Sequence, residues 1–170
     1  EVIIGDPDRL RAVAEDFIKH YETRVAEGAT VAGKAMFVCS NRNIAYDFYK
    51  IVKELRPEWT EKKICDDGVV LSEKDKKELK PMEKIKLVMT RNKDDEKDLF
   101  DMLGTKEDRK EFDRQFKNPK SNFKIAIVVD MWLTGFDVPE LDTIYIDKPI
   151  QQHTLIQTIS RVNRVCEGKD

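Results

Sequence analysis

The chain has 170 residues, 40% of them apolar and 8% aromatic, enough for one core of ordinary domain size and not for two independent ones. Charged residues are abundant at 38%, but 31 Lys and Arg face 33 Asp and Glu for a net charge of −2, which excludes a generic polyanion binder and confines any nucleic-acid contact to a local patch. Three widely spaced cysteines, Cys39, Cys65 and Cys166, form no CxxC pair and argue against a disulfide framework or a zinc knuckle, and the apolar runs are too short to span a bilayer; a reducing cytoplasmic setting without a membrane is expected. The chain lacks an initiator Met and stops just after a helical pattern, so we expect a domain excised from a longer protein, with residues 1–170 as one unit.

Asp6-Pro7 is a helix start, and Leu10, Val13, Ala14, Phe17, Ile18, Tyr21 and Val25 recur at helical spacing, predicting a helix from about Pro7 to Glu27. AMFVC after Gly33-Lys34 reads as a strand covered on both faces. Ser40 is placed to cap a helix whose stripe is Ile44, Phe48, Ile51, Val52 and Leu55, ending near Pro57. From Glu58 to Glu83 the chain becomes charged and irregular and reads as a surface excursion with a brief helix after Ser72. IKLVMT is a second strand, followed by a weak helix around Asp95 to Leu103 and another, capped by Thr105, that carries Phe112 and Phe116. KIAIVV and TIYI are the third and fourth strands, joined by DMWLTGFDVPEL, and the periodicity predicts a last helix from about Gln152 to Val165. Continuous apolar strands alternating with helices argue a parallel sheet wrapped by helices. Ligands gather at the carboxyl ends of such strands, where Ser40, Thr90, Asp130 and Asp147 fall.

On the predicted last helix, Leu155, Ile159 and Val162 form one stripe, and Gln157, Arg161 and Arg164 form another on nearly the opposite side. Two fixed guanidiniums match a phosphate chain through paired donors, although the stripe alone reads more readily as a solvated polar face. Upstream, Thr134-Gly135-Phe136-Asp137 follows a strand; Gly135 permits a positive φ or a close backbone approach, and Asp137 offers a carboxylate suited to a ribose hydroxyl. Yet no phosphate-cradling glycine loop occurs in the chain.

These residues carry a resemblance. DMWLTGFDVPELDTIYIDKP with QTISRVNR resembles motifs V and VI of superfamily 2 helicases, and in particular the second motor lobe of the type I restriction enzyme R subunit; KAMFVCSNRNIAYDFY and KIKLVMT are similar to the motif IV strand and helix and the next strand of that family. The likeness runs from Lys34 to Val165, with 58–83 poorly matched. It implies a RecA-like three-layer α/β/α domain with a mainly parallel sheet, closing on a first lobe that carries the missing phosphate loop, with ATP between the lobes and Mg²⁺ held by the first. By position, Arg161 and Arg164 would reach the γ-phosphate as arginine fingers, Gln157 would orient them, Asp137 would approach the ribose and Gly135 would let the turn come close.

Double-stranded DNA would be contacted by Ser40, Arg42, Thr90 and Thr134 at strand ends, through groups that carry no sequence information, although Ser40 is equally readable as a plain helix cap. Val129 and Thr134 stand where many relatives have Thr and some have Arg, Gln157 where RNA-directed relatives have His, and Ser160 and Asn163 where they have Gly; these departures favour the DNA-translocase branch. Trp132 reads as a packing residue, and His20 and His153 as isolated, without a second ligand at metal spacing. Glu61-Lys62-Lys63 lacks the paired upstream acid of a nuclease cluster, so cleavage would belong to a nuclease domain elsewhere in the parent chain. The family further implies methylation and specificity subunits as partners, and an isolated fragment without ATPase activity. Two other readings remain: a nucleotide-free docking domain that binds DNA or partner subunits without turnover, and a self-contained flavodoxin-like nucleotide-binding enzyme, which the lack of a glycine-rich turn disfavours.

Overall fold

The computed structural model describes residues 7–28, 33–129, 144–146 and 156–157. Its elements follow as α1 (Pro7–Ala26), β1 (Ala35–Cys39), α2 (Arg42–Leu55), a 3-10 turn (Pro57–Thr60), β2 (Lys62–Lys63), α3 (Glu73–Glu78), β3 (Met82–Glu83), β4 (Ile85–Leu87), α4 (Lys97–Leu103), α5 (Lys106–Lys117), β5 (Ile125–Val129), β6 (Ile144–Ile146) and β7 (Ile156–Gln157). The main sheet has the order β4-β5-β1-β6-β7, with the first four strands parallel. The fold is α/β with a mainly parallel sheet, as the apolar strand runs predict, and RecA-like, as the family resemblance implies.

Strand alternation divides the core into two layers. Phe37 and Cys39 of β1, Ile125 and Ile127 of β5, and Tyr145 of β6 point to one face, where α1, α2 and α4 bury Phe17, Phe48 and Leu103. The Phe37 and Phe48 rings stack with centroids 3.9 Å apart, and Phe17 meets Tyr145 edge-on at 4.9 Å. Met36, Val38, Ala126 and Val128 point the other way, onto Phe116 of α5 and Phe123. Every residue of β1 and β5 is buried, as expected of strands covered on both faces. His20 has a structural partner: its Nδ1 lies 2.7 Å from the Tyr145 hydroxyl, tying α1 to β6, and burial followed by the nearby Arg24 lowers its pKa.

Helix boundaries follow local chemistry. Ser72 and Thr105 each accept a hydrogen bond from the N–H three residues on, and Asp75 and Asp108 return the bond, so α3 and α5 start in capping boxes. Between α4 and α5, Gly104 has φ 74°, and a Cβ there would sit 2.8 Å from the Asp108 side chain.

Two expectations are corrected. The stretch 58–83 lies on the surface with a brief helix after Ser72, as expected, but it is not irregular throughout: Lys62–Lys63 pairs antiparallel with Met82–Glu83, and Trp59, only 4% exposed, is an anchor against Tyr21. Its strands are two residues long and charged, so they leave no periodicity to read; tertiary pairing decides them. The predicted helix over 152–165 does not hold at Ile156–Gln157, which runs antiparallel to β6, Tyr145 opposite Gln157. The unpaired edge of β6 supplies backbone partners, and the surrounding Thr154, Ile156, Thr158 and Ile159 are β-branched, which favours the extended state over the helix.

At the amino edge of the sheet, Lys34, Lys84 and Lys124 stand immediately before β1, β4 and β5. Lys34 is 2% exposed; its amine donates to the Phe123 carbonyl at 2.6 Å and faces the Phe116 ring. Burial, and then the charge of Lys124, bring its pKa down to about 7.

Candidate functional site

The carboxyl ends of β1 and β4 lie on opposite sides of β5 in the sheet order, and the chain returns from each into a helix. Beyond β1 come Ser40 and Asn41. Asn41, not Ser40, caps α2: its backbone is extended and its side-chain oxygen accepts from the Ile44 N–H at 2.9 Å. Ser40 is thereby released from capping, and its hydroxyl oxygen is buried without a hydrogen-bond partner among the described residues. A buried hydroxyl left unsatisfied carries a desolvation cost, which a bound acceptor or donor would remove.

Arg42 opens α2 and reaches across to the segment after β4. Its Nη1 donates to the Thr90 carbonyl, and its Nη2 lies 2.6 Å from both carboxylate oxygens of Asp95. Arg42 is 29% exposed and Asp95 10%. Burial alone would raise the Asp95 pKa, but the Arg42 guanidinium and the Asn92 N–H, which donates at 2.7 Å, outweigh it and hold the carboxyl below its ordinary value. One turn further along α2, the Tyr46 hydroxyl donates to Glu96 at 2.8 Å; burial and that carboxylate push the phenol up to about 12. The segment 90–96 is therefore strapped twice to the start of α2.

Of the DNA-facing candidates, Ser40, Arg42 and Thr90 are thus brought into one neighbourhood, with Thr90 exposed. Arg42 arrives with its charge compensated, so it positions the site more than it offers an open cation. Asn41, Asp95, Tyr46 and Glu96 were not singled out by the sequence. An asparagine three residues before Ile44 was a usable capping signal; the straps join residues about fifty apart and left none. Thr134, Gly135, Asp137, Arg161 and Arg164 lie outside the described residues, as do Asp130, Trp132, Asp147 and His153. Gln157 is placed through its backbone in β7, beside β6. Among the described residues, no group of three or more His, Cys, Asp or Glu side chains is arranged to hold a metal ion, and no helix is long and apolar enough to cross a membrane.

Residues 31–170 match the family model described as type I restriction enzyme subunit R domain 3. The chain is 37% identical over 169 residues to the type I restriction enzyme HindI endonuclease subunit of Haemophilus influenzae, covering 99% of this chain and 14% of that protein. It is also 37% identical over 170 residues to the putative type I restriction enzyme MjaIXP endonuclease subunit of Methanocaldococcus jannaschii, again covering 99% of this chain and 14% of the relative. No solved structure matches. The chain therefore spans about one seventh of the length of these relatives. With a RecA-like sheet and a family match over nearly its whole length, the chain belongs to the domain 3 family of type I restriction enzyme R subunits.

Proposed function

We propose that this chain is the second motor lobe of an ATP-dependent double-stranded DNA translocase within a type I restriction enzyme. The observation that carries the reading is membership of the R-subunit domain 3 family on a RecA-like parallel sheet. The gathering of Ser40, Arg42 and Thr90 at two strand ends supports a backbone contact to DNA there: exposed Thr90 would meet a phosphate, the unsatisfied Ser40 hydroxyl beside it would gain a partner, and Asp95 fixes Arg42. On this reading ATP and its Mg²⁺ bind against a first lobe of the parent chain. Arg161 and Arg164 stabilise the charge that develops on the γ-phosphoryl group, Asp137 and Gly135 form the ribose side, and Gln157 in β7 helps orient the arginines. Restriction itself would need the nuclease domain of the parent and its methylation and specificity subunits.

The test is DNA-dependent ATPase in the intact parent enzyme. Arg161→Ala or Arg164→Ala should lower turnover by roughly 10³ to 10⁵ while leaving the fold in place. Near-normal turnover in both variants would sink the arginine-finger reading. The compensation of Arg42 by Asp95 favours a second reading, a nucleotide-free docking domain that binds DNA or partner subunits; the arginine variants would then keep turnover and lose assembly instead.

A further inference from the structure

We propose that the groove between α3 and the last turn of α5 is a second seat for a DNA backbone, separate from the strand carboxyl ends. The groove is open and encloses about 640 Å³. Lys74, Lys77, Lys80, Arg114, Lys117 and Lys120 line it, against only two carboxylates, Asp75 and Glu78. So strong a local excess of positive charge is notable in a chain whose net charge is −2.

The walls are fixed before any ligand arrives. Gln115, 1% exposed, donates to the Glu78 carbonyl at 2.9 Å and to Glu111 at 2.6 Å, and accepts from the Lys80 N–H at 3.2 Å, so one buried amide joins the two helices. Lys120 bonds Asp75 at 2.6 Å and closes the far end. Arg114 pairs with Glu111 and Lys117 with Asp113, within α5. Lys74, Lys77 and Lys80 have no ion-pair partner among the described residues and are exposed, leaving three ammonium groups along one wall.

The lining chemistry favours phosphates over a protein partner. Protein interfaces concentrate aromatic and apolar anchors and are depleted in lysine. This groove has no aromatic side chain, and Pro119 is its one apolar residue. Unpaired lysines on α3 and the segment just after it suit a phosphate chain, which they bind as point charges without reading bases. The groove also lies at the opposite edge of the sheet from Ser40 and Thr90: Pro119 accepts a hydrogen bond from Lys124, immediately before β5. The inference rests on the proposed function only for the choice of DNA as ligand.

The test measures binding of the 170-residue chain to a short fluorescent duplex by anisotropy, between roughly 50 and 200 mM salt. Replacing Lys74, Lys77 and Lys80 together by Gln should weaken binding at least about tenfold at the low end. It should also reduce the slope of log affinity against log salt by roughly 2 to 3, about 0.9 for each phosphate no longer neutralised, equally for unrelated duplex sequences. The three side chains are exposed and unpaired, so thermal melting should not move, and a melting shift large enough to explain the weaker binding would overturn the proposal. Unchanged affinity and slope, no duplex binding by the unsubstituted chain, or poly-glutamate binding more tightly than duplex would each overturn it, the last in favour of an acidic protein segment. Thr90→Ala and Ser40→Ala separate the two seats: loss of binding there with an unaffected groove sinks the groove alone, and the converse sinks only the strand-end contact.

Discussion

Lys34→Met should make the protein more stable at neutral pH and less stable in alkali. In the folded state burial and then the charge of Lys124 bring the Lys34 pKa down from the ordinary 10.5 to about 7, and Asp66 pulls it back upward only in part. At about 1.4 kcal/mol per pH unit, holding this ammonium charged in the fold costs about 5 kcal/mol relative to the unfolded chain. The sign follows from proton counts. Below pH 7 both states are protonated and the full cost applies; between pH 7 and 10.5 the unfolded chain binds more protons, so stability rises with pH; above 10.5 the cost is gone. Methionine fills a similar volume without the charge but leaves the Phe123 carbonyl without its donor, a loss of about 1–3 kcal/mol. The variant should therefore gain about 2–4 kcal/mol near pH 6 to 7, cross the parent near pH 9, and fall below it beyond. Urea denaturation across this range, followed by the fluorescence of the buried Trp59, measures the gap directly. Part of the gain passes through Lys124, and a double-mutant cycle with Lys124→Met separates that share. A variant less stable than the parent at pH 6 to 7, or a gap that does not change with pH, would refute the reasoning.

Trp59→Ala should cost about 3–5 kcal/mol and lower the melting temperature by about 10 °C, because this side chain moors the 58–83 segment to Tyr21 and Lys84; a loss under about 1 kcal/mol would mean that Trp59 does not anchor it. Asn41→Ala should cost about 1 kcal/mol of stability, whereas Ser40→Ala, which removes an unsatisfied buried hydroxyl, should gain about 1 kcal/mol in chemical denaturation while weakening duplex binding. Asp95→Ala should cost about 1–2 kcal/mol, with a coupling to Arg42→Ala in a double-mutant cycle; additive effects would mean that the strap does not hold the 90–96 segment.

What the sequence disclosed is what depends on neighbours in the chain. The buried strands announce themselves as AMFVC and IAIVV, and the capping boxes at Ser72 and Thr105 are visible because cap and partner stand three residues apart. The β2–β3 pairing, the Trp59 anchor and the Arg42–Asp95 strap were hidden because each joins segments with no local pattern of their own. Ser40 and Asn41 are equally good cap residues one position apart, and only the dihedral angles of the turn choose between them. The same holds at Ile156–Gln157, where helical periodicity and β-branching point in different directions and an open strand edge settles the contest. The basic groove leaves no local signal because its cations come from two segments about forty residues apart and balance away in the overall charge.

The position of β1 in the middle of the sheet has a consequence for how the chain is made. Ala35 finds its neighbour in Ile125, ninety residues later, and Met36 finds its other neighbour in Ile144. During synthesis, α1, β1 and α2 can meet early, but the central strand stays bare along both backbone edges until β5 and then β6 emerge. Contacts of such long sequence separation slow folding, and exposed apolar strand edges invite association with other chains in the interval. Polypeptides truncated anywhere between α2 and β5 should accordingly aggregate or be degraded, whereas chains reaching past β6 should close the sheet.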